Sequence, residues 1–123
     1  MTIDEIADEI YANAKAHGFH EEPLRTYIAD TTANIHGEVS EFWEAFRHHT
    51  LDKPCDKAEQ MKAVGLDPLT CEEEEIADII IRAFDTHQRL RVEGLSKKSV
   101  AEIILTKHSF NRSRSYKHGG KAA

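Results

Sequence analysis

Ile35-His-Gly-Glu-Val-Ser-Glu-Phe-Trp-Glu-Ala-Phe46 is the stretch around which the remaining chain can be arranged. Read as a helix, it places Ile35, Val39, Phe42 and Phe46 on one stripe, at spacings of four, three and four. Glu38 and Glu41 lie three apart, so their side chains neighbour each other on one flank of that stripe. Two like charges at the edge of a core cost stability unless something positive sits between them. A hard cation such as Mg²⁺ takes oxygen ligands and tolerates carboxylates in pairs, which makes it the economical explanation.

The device recurs in Glu74-Glu-Ile-Ala-Asp-Ile-Ile-Ile-Arg-Ala-Phe84, where Glu75 and Asp78 are again three apart. They flank a helix whose apolar side is Ile76, Ile79, Ile80 and Ala83. Two such helices, meeting through their buried faces, would bring four carboxylates into one cage. Other acidic i,i+3 pairs occur in this chain, Glu5 with Asp8 and Glu41 with Glu44 among them. Taken singly, such a pair is more often a solvated face than a ligand set.

At 123 residues the chain fits one domain, 1–123, with a modest core. A hydrophobic share of 40% beside 31% charged residues places it among globular chains, not disordered ones. A net charge of −6 argues against a general nucleic-acid binder. Yet Lys107 to Ala123 carries five Lys or Arg and no acid, so a cationic end faces an anionic centre. No apolar run is long enough to span a bilayer, and the acidic amphipathic start does not read as a signal peptide. Cys55 and Cys71 make no disulfide framework; beside His48 or His49 their spacing fits no zinc motif, and reduced thiols in a cytoplasmic protein are the simpler reading.

Thr2-Ile-Asp-Glu5 is a capping box that starts a first helix, with Gly18 as its stop. Glu22-Pro23 opens a long second helix, which Gly37 and Thr31-Thr32 weaken locally. An insert of about 49–71, broken at Lys53-Pro54 and Asp67-Pro68, holds a short helix ending at Gly65. A third main helix runs from about Glu72 to Glu93, and Ser96 is expected to cap a fourth reaching about Phe110. With no strand alternation, the fold class is all-α: a four-helix bundle with an insert between its second and third main helices. Ala77, Ile81 and Phe84 face away from Ile76 and Ile79, which points to burial on a second side and hence to a dimer. On the fourth helix, Lys107 and Asn111 continue the inward stripe of Val100, Ile103 and Ile104. A phosphate would satisfy both, as would a neighbouring carboxylate or simple snorkelling. A basic tail of about 112–123 follows, which on its own reads as a solvated end.

The combination Gly37-Glu38-x-x-Glu41, Glu75-x-x-Asp78, Lys107-x-x-x-Asn111 and His118-Gly-Gly-Lys121 resembles the MazG-like branch of the all-α nucleoside triphosphate pyrophosphohydrolases, over roughly 20–121 without the insert. The resemblance implies a bundle of that type, assembled as a homodimer or homotetramer. It implies Mg²⁺, with Mn²⁺ as a substitute, bound by Glu38, Glu41, Glu75 and Asp78. Substrate would be held by Lys107 and Asn111, with Lys121 of the tail, and Glu38 or Glu41 would orient the attacking water. The reaction would be hydrolysis of a (d)NTP to (d)NMP and pyrophosphate. Two departures stand out: the first acidic position of the opening motif is Gly37, and 33 residues separate Glu41 from Glu75. Trp43 or Tyr27 could stack on a base, although such aromatics on bundle helices are more often core. Alternatives are a related dUTP or phosphoribosyl-ATP pyrophosphohydrolase, a non-catalytic helical interaction module, and a nucleic-acid accessory protein acting through the basic tail.

Overall fold

Three Ser/Thr-x-x-Glu sequences set the helix starts. Thr2, Thr70 and Ser99 each accept the backbone N–H three residues on, and Glu5, Glu73 and Glu102 reach back to the capping N–H in return. The computed structural model describes residues 1–114. Their helices are α1 (Ile3–Ala16), α2 (Leu24–Arg47), α3 (Ala58–Ala63), α4 (Cys71–Val92) and α5 (Val100–Ser113). The cap of the last helix is therefore Ser99 and not Ser96, because only Ser99 has a glutamate three residues later to close the box. Gly18, Gly65 and Gly94 follow helix ends with φ of +85°, +82° and +78°, a left-handed turn that costs glycine little. No strand occurs among the described residues, whose one β contact is an isolated bridge between Pro54 and Thr70. None of their helices is long and apolar enough to cross a membrane.

Helix α4 is central. It packs along α2 and along α1, and α5 joins α1 and α4. Helices α1 and α2 do not pack on each other, so the four long helices do not close into a bundle within one chain. The α5 start is fixed where Asp4 Oδ1 accepts the Ala101 N–H at 2.9 Å and His87 Nε2 meets the Lys98 carbonyl at 2.7 Å. Beyond Ala101 the helix is exposed.

The apolar stripes are not where the periodicity places them. The apolar residues buried among the described ones are Ala7, Tyr27, Cys55, Ala58 and Val100. Val39 and Phe46, expected inside, are 50% and 55% exposed; Ile76, Ile80, Ile103 and Ile104 are exposed too. What α4 buries instead is polar: Glu74, Asp85, Gln88 and Arg89. The α2–α4 seam explains the change. Glu75, Asp78, Arg82, Asp85 and Arg89 recur at spacings of three and four and form the side of α4 turned to α2, displacing the isoleucines to an open flank. The accessible surface is 9034 Å². A compact 14.0 kDa chain is expected to expose about 6,700 Å². A broad apolar surface is left uncovered.

Candidate functional site

Helices α2 and α4 run antiparallel, and side-chain pairs join them along the seam. Tyr27 meets Asp85, Thr31 meets Thr86, and Glu38 meets Arg82. At the far end, where α4 begins, Glu38 and Glu41 from α2 converge with Glu75 from α4. One carboxylate oxygen from each lies within 4.8 Å of the others. Glu38 is held from one side only: Arg82 Nε donates to its Oε1 at 3.2 Å, and Nη2 forms an ion pair with the same oxygen at 3.1 Å. Its Oε2 and the Oε2 of Glu75 are buried without any hydrogen-bond partner among the described residues.

Carboxylate oxygens cannot donate to each other, so a part-buried triad of this kind needs protons or a cation between its members. The Glu75 carboxyl responds as that argument requires: burial, with the Glu38 and Glu41 carboxylates beside it, pushes its pKa from 4.5 up to about 8. Three hard oxygen donors from two rigid helices, two of them unsatisfied, fit a small divalent cation and no soft metal.

The sequence-derived site residues divide into those brought together and those kept apart. Glu38, Glu41 and Glu75 meet. Asp78 stands one turn further along α4 and lines the adjoining groove; burial, then the Glu38 and Glu74 charges, raise its pKa, and Lys57 and Arg82 act against them. Lys107 and Asn111 are exposed on α5, which does not touch α2, and Lys107 Nζ lies 5.0 Å from the Phe110 ring centre. Lys121 lies outside the described residues. Tyr27 is core, whereas Trp43 stacks on Phe46 at 5.7 Å on the exposed flank. His48 pairs with Glu44, and Cys71 Sγ contacts the Pro54 carbonyl oxygen at 3.6 Å.

Motif reasoning on the sequence misses two cations near the carboxylates. Arg82 follows Asp78 by four and Glu75 by seven, so helical spacing alone places it on their face. Lys57 comes from the connection between α2 and α4, where it sits 3.8 Å from buried Glu74; that carboxylate raises the lysine's pKa. No local pattern reveals Lys57, because its position depends on the backbone pairing of Lys53 and Cys55 with Cys71 and Leu69.

A groove of about 780 Å³ lies between α1, α2 and α4, and none of the three triad glutamates lines it. Its lining includes Ile6, Ile10 and Ile81 as apolar wall, Asn13 and Asn34 as amides, and Asp78 and Arg82 at the carboxylate end. That volume is in the usual range for sites that take a small organic ligand. Compared with protein-family models, curated proteins and solved structures, the chain gives no match to any of them.

Proposed function

We propose that the chain is a Mg²⁺-dependent nucleoside triphosphate pyrophosphohydrolase of the MazG-like kind, which hydrolyses a (d)NTP to (d)NMP and pyrophosphate. The observation that carries the reading is the triad itself: three carboxylates on two helices, two with buried, partnerless oxygens, with Arg82, the partner of Glu38, lining a nucleotide-sized groove. Glu38, Glu41 and Glu75 would hold the cation, with Asp78 at its edge, and Mn²⁺ would serve in its place. Bound there, it would neutralise triphosphate charge and make a water nucleophilic enough to attack the α-phosphorus. Glu41, the exposed member of the triad, would take that water's proton, while Arg82 keeps Glu38 in register. The apolar wall and the two asparagines would seat the nucleoside.

The exposed flank of α2 and α4 supports assembly. Val39, Trp43, Phe46, Ile76 and Ile80 form a face large enough to need a partner. A surface so poor in buried apolar residues needs permanent cover, and the partner always present in equal amount is a second copy. Two α2–α4 pairs packed through that face would complete the four-helix bundle of a cytoplasmic homodimer, or of a homotetramer built from it. Lys107 and Asn111, set on a helix that leaves its own chain, would reach a triphosphate only from such a partner.

Incubation with Mg²⁺ and a panel of ribo- and deoxynucleoside triphosphates tests the reaction. Monophosphate and pyrophosphate are expected, abolished by EDTA and reduced at least about 100-fold by Glu41→Gln. Diphosphate and phosphate as products would move the scissile bond. No turnover and no Mg²⁺-dependent rise in melting temperature would leave the second reading, a helical interaction module, which the exposed apolar flank also favours.

A further inference from the structure

The groove beside the triad is anionic almost throughout. Glu9, Glu22, Asp30, Asp78 and Asp85 all line it, and Arg82 is the one Lys or Arg among its described lining residues. A polyanionic substrate would be repelled by such a wall everywhere except at that guanidinium. Arg82 is also unusually placed to do two things at once. Its Nε–H donates to Glu38 Oε1 and its Nη2 lies 3.1 Å from the same oxygen, so the contact is side-on, and Nη1 has no partner among the described residues. The Arg82 side chain is 38% exposed, whereas that of Glu38 is only 12% exposed. An arginine has five N–H donors in a fixed plane, and only the Nε–H is hydrogen-bonded here.

We infer that Arg82 is the phosphate-binding cation of this groove: it fixes Glu38 with one edge and takes a phosphate oxygen of the substrate with the rest of its fork. The inference rests on the pyrophosphohydrolase reading and adds to it a residue that neither the acidic pairs nor Lys107 and Asn111 supply. Arg82 stands one turn from Asp78 and two turns from Glu75, so a phosphate chain reaching from the triad into the groove must pass it. It would hold Glu38 and the phosphate in fixed relation, which a flexible ammonium would do less well.

The test separates phosphate binding from mere support of Glu38. Arg82→Gln and the unaltered chain are compared by calorimetry with a nucleoside triphosphate in Ca²⁺, which suppresses turnover, and with the parent nucleoside. Thermal melting in Mg²⁺ alone is recorded in parallel. Loss of a charge-assisted contact predicts triphosphate affinity about 10- to 100-fold weaker in Arg82→Gln. Nucleoside affinity should change less than about twofold, and the Mg²⁺-induced melting shift should be at least as large as before, because a neighbouring positive charge has gone. Unchanged triphosphate affinity overturns the inference. So does loss of the Mg²⁺ shift together with the nucleotide, which would make Arg82 only a support for Glu38. Should Arg82→Gln fail to fold, the unaltered chain decides. Its Arg82 Nε–H resonance must move on adding triphosphate and stay on adding nucleoside, and an Nε–H indifferent to both overturns the inference. If the unaltered chain binds neither divalent cation nor triphosphate, the parent reading falls and this one with it. A chain that turns over nucleotide but is indifferent to Arg82→Gln sinks this one alone.

Discussion

The α2–α4 seam buries carboxylates at both ends, and the two ends solve the problem in opposite ways. Around Asp85 every charge is answered. Tyr27 donates its hydroxyl to Oδ2 at 2.5 Å, and His20 Nε2 lies 2.8 Å from Oδ1. Arg89 Nη1 lies 3.2 Å from His20 Nδ1, and arginine can only donate. Nδ1 is therefore the acceptor, and Nε2 donates to Asp85. Arg89 also donates to the Glu22 carbonyl and to Glu93, and lies over the Tyr27 ring at 5.2 Å. At the Glu38–Glu41–Glu75 end, two buried oxygens have no partner among the described residues. A satisfied network ties α2, α4 and the α1–α2 connection together; an unsatisfied one is stable only with a proton or a cation added. The same chemistry is fully paired at one end and unpaired at the other, and the difference lies in the partners.

Breaking the satisfied end should have the largest effect. Asp85→Ala strands the Tyr27 hydroxyl and the His20 N–H together, and should destabilise by on the order of 3–5 kcal/mol in urea unfolding. A loss below about 1 kcal/mol would mean that water already shares those groups, and the contrast would vanish.

At the other end the sign reverses. Glu75→Gln removes the carboxyl that must take up a proton on folding at neutral pH, and the metal-free chain should gain about 1 kcal/mol, a melting point a few degrees higher. The Mg²⁺-dependent rise in melting temperature should disappear with it. The pH dependence sharpens the comparison. The folded-state pKa of Glu75 is raised from 4.5 to about 8, so the folded chain binds the extra proton. Its stabilisation is fully present below 4.5 and is lost as pH climbs through about 8. Tyr27 is raised from 10.0 to about 12, chiefly by burial and then by its bond to Asp85, so its own contribution persists until pH passes 10.0. Metal-free melting curves should therefore fall between pH 4.5 and 8, and Glu75→Gln should flatten that window while leaving the alkaline limb in place. A slope unaffected by the substitution would assign the proton elsewhere.

Much of this architecture is legible in the amino-acid order alone. The Thr2 capping box, Gly18 and Gly94 mark helix ends by local chemistry, and local chemistry survives folding. The spacing of Glu38, Glu41 and Glu75 likewise limits which residues can share a face. The inward side of each helix is not legible. Periodicity reports where apolar residues sit, and treats them as facing the chain's own core. Here Val39, Phe46, Ile76 and Ile80 share an outer flank, and a charged stripe occupies the seam. That stripe is itself readable, from Glu75 through Arg82 and Asp85 to Arg89, but reading it requires supposing that charges pair across helices. Lys57 and His20 depend on chain segments outside α2 and α4, and no spacing rule reaches them.

The smallest expected effect lies midway between the two ends. Thr31 is buried, and its hydroxyl is 3.2 Å from that of Thr86, which itself lies 2.7 Å from the Arg82 carbonyl. A carbonyl can only accept, so Thr86 donates there and Thr31 must donate to Thr86. Thr31→Val removes that donor, yet Thr86 keeps its bond to the backbone and no group is left wholly unpaired. A loss of about 0.5–1 kcal/mol is expected, with the Mg²⁺ response intact. If instead Thr31→Val also diminished the Mg²⁺-dependent melting shift, the two ends would be coupled through Arg82. Its helical turn carries both the carbonyl that anchors Thr86 and the guanidinium that anchors Glu38. The seam would then be one cooperative device instead of a rigid foot and a separate binding head.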